Sequence, residues 1–298
     1  MIINAGNLRA LNTSYSTAYN KGFNSVEPTY QRIASRIPSS SKIQEYNWLG
    51  QFPQLREWIG EREIQNLSAY KYQIENLHFE MTVGVNRDEI EDDQYGIYTL
   101  NMENMGVQAR KHPDKLVYKL LMGGFTNLCY DGKPFFSAEH KCGGVTYSNV
   151  TTEKLCADSY MKARTAMMGL CGDKGDSLNL VPDLLVVSPA YEMEARKILK
   201  ADQIDGSTNV LKDTADLLTV TELAANKDYW FLMDTKQFLK PMIFQERKPY
   251  KFVNLNRETD PNVFMQNEFL YGADGRCNAG YGFWQMAYGS TGTADVKG

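Results

Sequence analysis

Residues 67–87 constrain the fold more than any other stretch of the chain. Tyr70, Tyr72 and Ile74 alternate with Lys71, Gln73 and Glu75. Beyond Asn76-Leu77-His78, the residues Phe79, Met81, Val83 and Val85 alternate with Glu80, Thr82, Gly84 and Asn86. Successive side chains of a strand point to opposite faces, so this period of two predicts a long hairpin with one apolar and one polar face. A two-stranded hairpin is marginally stable at best in water. Its apolar face therefore requires a partner, either the body of the same chain or another subunit.

The acidic run Arg87-Asp88-Glu89-Ile90-Glu91-Asp92-Asp93 follows at once. Five carboxylates so close together could hold a cation, but such runs more commonly open a helix, where free amide N–H groups and the positive dipole end receive them. The next residues support the helix. Tyr95, Tyr98, Met102, Met105 and Ala109 form an apolar stripe at three- to four-residue spacing. His112-Pro113-Asp114 is expected to break and restart the helix, with Pro113 at a first helical position. Leu116, Val117, Leu120 and Leu121 continue the apolar face, and Gly123-Gly124 ends it.

Elsewhere the pattern is mixed. Residues 1–45 are polar, with short helices expected over 7–21 and 29–36. They lack an apolar period that would hold them on a core, so they read as an arm lying across something else. A helix is expected over 153–171, a strand over 183–187, and a helix from Ser188-Pro189 to Leu199. Strands are expected at 217–223, 230–233, 242–246, 263–271 and 281–288, with a Gly-rich turn from Gly272 to Gly280. Helices and strands neither alternate regularly nor segregate, which fits an α+β fold.

Composition excludes some functions. The 298 residues are 43% hydrophobic, enough for a sizeable core, and carry a net charge of -4. A protein gripping nucleic acid over a wide surface would carry a basic excess. The charge is also uneven: Arg9, Lys21, Arg32, Arg36, Lys42 and Arg56 outnumber Glu27, Glu45 and Glu57 in the first sixty residues. A basic arm on an acidic body could dock against a neighbour, or be ordinary solvated charge. Five cysteines without CxxC spacing, no secretion-signal pattern at the start and no apolar run of the ~18 residues that span a membrane read as a soluble protein with free thiols, made in a reducing cytoplasm.

Reactive side chains concentrate between Cys129 and Cys142. Cys129, His140 and Cys142 suggest a thiol hydrolase or a zinc site, but the spacing fits neither pattern. Asp131-Gly132 with Pro134 reads better as a turn, anchored by Phe135-Phe136. No hydrolase elbow, metalloprotease helix, phosphate loop or dinucleotide fingerprint occurs. Neither a cofactor nor catalysis is expected.

Several stretches then carry a resemblance. Trp48-Leu49-Gly50-Gln51-Phe52-Pro53, Leu55-Arg56-Glu57-Trp58-Ile59-Gly60, the run from Arg87 to Asp93 with Gly96, His112-Pro113-Asp114, and Cys129-Tyr130-Asp131-Gly132 through His140 resemble the Mu-like major head subunit family, gpT. So does the ending Glu268-Phe269-Leu270-Tyr271-Gly272, Arg276, Asn278 to Gly282, Trp284-Gln285 and Ala287-Tyr288-Gly289. The resemblance runs nearly end to end, in order. It implies the HK97-like capsid fold: an N-terminal arm (1–60), an extended loop (61–92), a peripheral domain with a spine helix (93–150 and 241–272) and an axial domain (151–240 and 273–298). A loop at Leu255–Pro261 would approach local threefold contacts. Tyr70, Tyr72, Ile74, Phe79, Met81, Val83, Arg87, Asp92, Asp93, Arg257 and Glu258 are the expected inter-subunit contacts. The implied partners are further copies of the chain in pentamers and hexamers, a scaffold, a portal, a decoration protein and packaged double-stranded DNA, but no membrane. The implied location is the virion. Other phage structural subunits, nanocompartment shells and, more distantly, a thiol hydrolase are the competing classes.

Overall fold

The computed structural model describes residues 2–49, 71–92, 96–172, 175–204 and 206–296. Helix α1 (Ala5–Asn24) opens the chain, its first turn capped by Asn4, whose side chain accepts the Asn7 N–H at 2.8 Å. Leu8, Leu11, Tyr15, Ala18, Tyr19 and Gly22 form its buried face. Their three- and four-residue spacing is a helical stripe after all, so the expectation that the first 45 residues cannot hold themselves on a core is corrected. Tyrosine, alanine and glycine diluted the apolar signal. Residues 30–32 make only a single 3-10 turn in place of the expected second helix, and β1 (Ala34–Pro38) follows.

The predicted alternation is present, but the predicted hairpin is not. β3 (Gln73–Glu75) pairs with β2 (Ile43–Glu45), whereas β4 (Leu77–Asn86) joins a different sheet. Asn76 separates them. It is buried, its backbone N–H donates to the Lys42 carbonyl at 2.8 Å, and its amide donates to Ser39 Oγ and the Ser41 carbonyl. The chain is thereby pinned to residues 39–42 and cannot fold back on itself.

Helix α2 (Arg87–Glu91) starts at the acidic run, capped by Asn86, with Asp88 and Glu89 in its first turn. Helix α3 (Gly96–Met122) then runs 27 residues through Pro113 without the expected break. A proline inside a helix costs about 3 kcal/mol or more. Pro113 lies on the buried face among Ala109, Asp114, Val117 and Tyr118, where packing over the whole helix offsets that cost.

A small hairpin, β5 (His140–Cys142) with β6 (Val145–Tyr147), leads into β7 (Val150–Glu153) and α4 (Ala157–Met168). Helix α4 is shorter than expected because Cys156 and Ser159 form a capping box inside the predicted span. Strand β8 (Leu184–Val187), helix α5 (Glu192–Lys200), the short pair β9 (Gln203–Ile204) and β10 (Ser207–Thr208), β11 (Asp216–Thr219) and β12 (Trp230–Met233) follow. Strand β13 (Met242–Leu255), helix α6 (Pro261–Gln266), β14 (Glu268–Tyr281) and β15 (Ala287–Ala294) complete the chain.

Two expectations in this last part fail for physical reasons. Val263–Tyr271 is not one strand, because Asp260-Pro261 starts helix α6 and Asn267, at φ 55°, ends it. Gly272–Gly280 is not a turn but the middle of β14. Its glycines make lateral room: a Cβ on Gly275 would lie 2.7 Å from the Tyr250 ring, and one on Gly280 2.2 Å from Ile74.

The long hairpin of this protein is therefore β13–β14. It centres a four-stranded sheet of order β1-β13-β14-β4, with β1 parallel to β13 and the other pairs antiparallel. A second, mixed sheet has the order β11-β8-β12-β15-β7. Both faces of this second sheet are covered. Leu184, Val186, Phe231 and Met233 face a core shared with the root of the β13–β14 hairpin and with Val117, Tyr118 and Leu121 of α3. Leu185, Val187, Trp230 and Leu232 face α4 and α5. A third cluster joins α1, the first half of α3 and the outer part of the four-stranded sheet through Tyr15, Met102, Met105, Val85, Phe269 and Tyr271.

Helices α1 and α3 meet at glycines. A Cβ on Gly22 would come within 1.9 Å of the Glu103 carbonyl, and one on Gly106 within 2.1 Å of the Tyr19 carbonyl. Around this crossing, Lys21 pairs with Glu103 at 3.0 Å, and the Arg110 guanidinium lies 5.0 Å over the Phe23 ring. Buried Asp114 accepts the Tyr30 N–H at 2.6 Å.

Candidate assembly surface and the Cys129 cluster

The far end of the β13–β14 hairpin gathers the charged contact residues Arg87, Asp92, Arg257 and Glu258. Arg257 and Glu258 line an open groove of about 840 Å³ whose other wall is the start of α1, including Ile3, Asn4 and Arg9. The Arg257 N–H donates to Asp260 Oδ2 at 2.8 Å and Asp260 N–H returns to the Arg257 carbonyl, a tight turn that launches α6. On the other flank, Arg87 N–H donates to the Asn267 carbonyl at 2.9 Å, and the Asn267 amide donates to Asp88 Oδ1 at 3.2 Å. These bonds hold α2 beside the hairpin end. Arg87 pairs with Glu91 at 3.1 Å, and Asp88, Glu91 and Asp92 face solvent. One flank of the tip is thus acidic, and the other is a groove lined by Arg9, Arg257 and Glu258.

Large apolar side chains are exposed at the same end. Phe264 and Met265 of α6 are 89% and 76% exposed, and Ile97 and Leu100 at the start of α3 are 67% and 71% exposed. Sequence reasoning missed α6 because its apolar residues were read as part of a strand. The Asp260-Pro261 helix-start signal could have found it.

The strand residues expected at contacts point mostly inward. Ile74 is buried, and the Tyr72 hydroxyl accepts the Tyr281 N–H at 2.8 Å. Phe79 packs on the His112 ring at 4.3 Å, and Val83 lies half-buried against the α1–α3 core. Met81 is 37% exposed. Tyr70 and Asp93 lie outside the described residues. Burial, and to a lesser degree the nearby Lys115 charge, pulls His112 below the ordinary histidine value. Its Nδ1 sits 2.6 Å from the Tyr250 hydroxyl.

The Cys129–Cys142 loop closes on itself. Cys129 Sγ donates to Asp131 Oδ1 at 3.1 Å, His140 Nδ1 lies 2.6 Å from Asp131 Oδ2, and His140 Nε2 lies 3.2 Å from the Phe135 carbonyl. The imidazole stacks flat on Trp284, 4.1 Å away at 3°. Burial first, and then the neighbouring Asp131 carboxylate, push the Cys129 thiol far above its usual range. Burial also works to raise the Asp131 carboxyl, but hydrogen bonds from His140 and Cys129 outweigh it and hold the group below the usual carboxylate range. A nucleophilic cysteine needs the opposite shift. Cys129, Asp131 and His140 are the group of possible metal ligands found among the described residues. All five cysteines are free thiols, and among the described residues no helix is long and apolar enough to cross a membrane.

With this geometry in hand, comparison with known proteins is direct. The procapsid subunit of bacteriophage JBD30 is 34% identical and superposes with a TM-score of 0.63, covering 99% of this chain and 77% of that one. The fold is accordingly that of the HK97-like capsid proteins, α+β in class. The profile of the Mu-like prophage major head subunit gpT family matches residues 8–154, 145–223 and 221–297. The major capsid protein of Escherichia phage Mu is 35% identical over 287 residues, 96% of this chain and 74% of that protein. The Mu-like prophage FluMu major head subunit of Haemophilus influenzae is 30% identical, over 94% of this chain and 72% of that protein. The chain belongs to the Mu-like major head subunit family, and its function is that family's: a capsid protein that associates with copies of itself in the virion.

Proposed function

We propose that this chain closes into pentamers and hexamers, that these tile an icosahedral head around double-stranded DNA, and that the hairpin tip supplies a principal contact between subunits. The observation that carries the reading is the tip itself. Phe264 and Met265 stand almost fully exposed between an acidic flank (Asp88, Glu91, Asp92) and a groove with Arg9 and Arg257. Exposed apolar patches of this kind mark interaction surfaces. An acidic flank and a groove whose two arginines outnumber Glu258, on one tip, suit a head-to-tail contact, the type that closes into rings. Arg87, Asp92, Arg257 and Glu258 are the charged contacts of this reading, and Met81 an apolar one.

The division into a peripheral unit (93–150 and 241–272), an axial unit (151–240 and 273–298), an arm and an extended loop belongs to the same reading. A scaffold, a portal and a decoration protein are the further partners, DNA is enclosed without sequence recognition, and synthesis takes place in the host cytoplasm. The reading assigns no catalysis. The buried, strongly protonated Cys129 thiol supports that assignment.

The test is electron microscopy of the chain expressed alone, with light scattering on the same sample. Shells, tubes or five- and six-fold rings are expected. A monomer that stays monomeric with the scaffold added would overturn the reading.

A further inference from the structure

The loop from Cys129 to Cys142 is too elaborate for a simple turn. It draws a thiol, a carboxylate and an imidazole from positions 129, 131 and 140 into one buried spot, and the assembly reading uses none of them. We propose that Cys129, Asp131 and His140 form a binding site for a thiophilic divalent cation, of which zinc is the type.

Four observations carry this. The three donor atoms all lie within 4.8 Å of one another, a span that one ion bonded at about 2.0–2.3 Å to each can bridge. The imidazole is held as metal-bound histidines are: Nε2 faces the Phe135 carbonyl at 3.2 Å, which leaves Nδ1 directed at the other two donors. The scaffold is stiff, since the His140 ring is stacked on Trp284 and the Cys129 N–H donates to the Lys133 carbonyl at 2.8 Å. Asp131 Oδ1 also accepts the Lys133 N–H at 3.0 Å, which anchors one carboxylate oxygen, while Oδ2, 2.6 Å from His140 Nδ1, is the oxygen the cation would take in place of their shared proton.

Charge fits as well. One divalent cation, one thiolate, one carboxylate and one neutral imidazole sum to zero, so the site can be buried without an uncompensated charge. Binding replaces two protons. The thiol proton of Cys129 and the proton shared between His140 Nδ1 and Asp131 leave to solvent, and the cation occupies their place. No electron is transferred. The spacing Cys-x-Asp followed nine residues later by His matches no common zinc pattern, which is why the sequence alone passes over it.

The experiment uses the full-length chain, stripped with a chelator and then titrated with zinc alone and, in parallel, with cobalt(II) as a spectroscopic probe. The expected result is one equivalent bound, protons released on binding, a raised melting temperature, and a thiolate-to-cobalt charge-transfer band. Cys129→Ser should abolish the band, while Cys277→Ser, a buried thiol elsewhere, should keep it. Melting both variants in chelator separates loss of metal from loss of fold, and should Cys129→Ser not fold, the wild-type cobalt spectrum decides. No uptake, binding without the thiolate band, or a band that survives in Cys129→Ser would overturn the proposal and leave the cluster as a hydrogen-bonded brace.

Discussion

The two sheets of this subunit solve the same problem differently. In the five-stranded sheet, β8 and β12 are buried at every position, and alternate residues feed two separate cores. In the four-stranded sheet, β13 is buried over Met242–Gln245 and then turns progressively outward to Val253 and Leu255, which are 45% and 52% exposed. One sheet is finished within the chain. The other is finished at its root and left open at its tip, as a subunit needs when its last contacts come from copies of itself.

Mutations should separate the two regions. The largest effect is expected at the closed sheet: Phe231→Ala removes a fully buried ring and should cost about 3–5 kcal/mol, read as a lower chemical-denaturation midpoint. Equal loss of stability from Phe264→Ala would break the comparison, because that ring is 89% exposed and its removal should change monomer stability by about 0.5 kcal/mol at most.

Next in size is Gly106→Ala, whose methyl would overlap the Tyr19 carbonyl. A cost of about 1–3 kcal/mol is expected. Hydrogen exchange should rise across α1 while β8 and β12 keep their protection, and uniform loss of protection would contradict separate cores. Charge exchange at the tip is a smaller and more specific effect. Arg257→Glu and Asp92→Arg should each slow assembly with little change in melting, and the double reversal should recover part of the rate. Failure to recover would dissociate these two charges.

The smallest effect concerns pH. His112 is held below its ordinary value, so the unfolded chain binds its proton first. The stability this group contributes is present above about pH 6.5 and is lost as pH falls toward the depressed folded value. His112→Gln should flatten that slope in pH-dependent denaturation curves; an unchanged slope would assign it to other groups.

Much of this was legible in the sequence, for reasons visible in particular residues. Period-two alternation in Phe79–Val85 survives because β4 has one side on α1 and α3. The acidic run does open a helix, with Asn86 as its cap, but it is the short α2 and not the long α3 that carries the predicted apolar stripe. What the sequence hid was long-range. Nothing local in Tyr72–Val85 reveals that Asn76 is pinned to residues 39–42, and so a hairpin was expected where two sheets diverge. Glycines in β14 read as a turn because their real role, room for Tyr250 and Ile74, depends on neighbours far away in sequence. The tip residues Arg257 and Glu258 were reached through family resemblance, whereas Phe264 and Met265 were hidden by a misassigned strand. Cys129, Asp131 and His140 were noticed individually, but the loop geometry that joins them is three-dimensional.

The most direct test of the central claim is to charge the open tip without touching the closed sheet. Phe264→Asp would be purified, melted beside the wild type, and imaged by electron microscopy under conditions where the wild type forms shells. The account predicts an unchanged melting temperature with neither shells nor rings. Normal shells from the folded variant would contradict it.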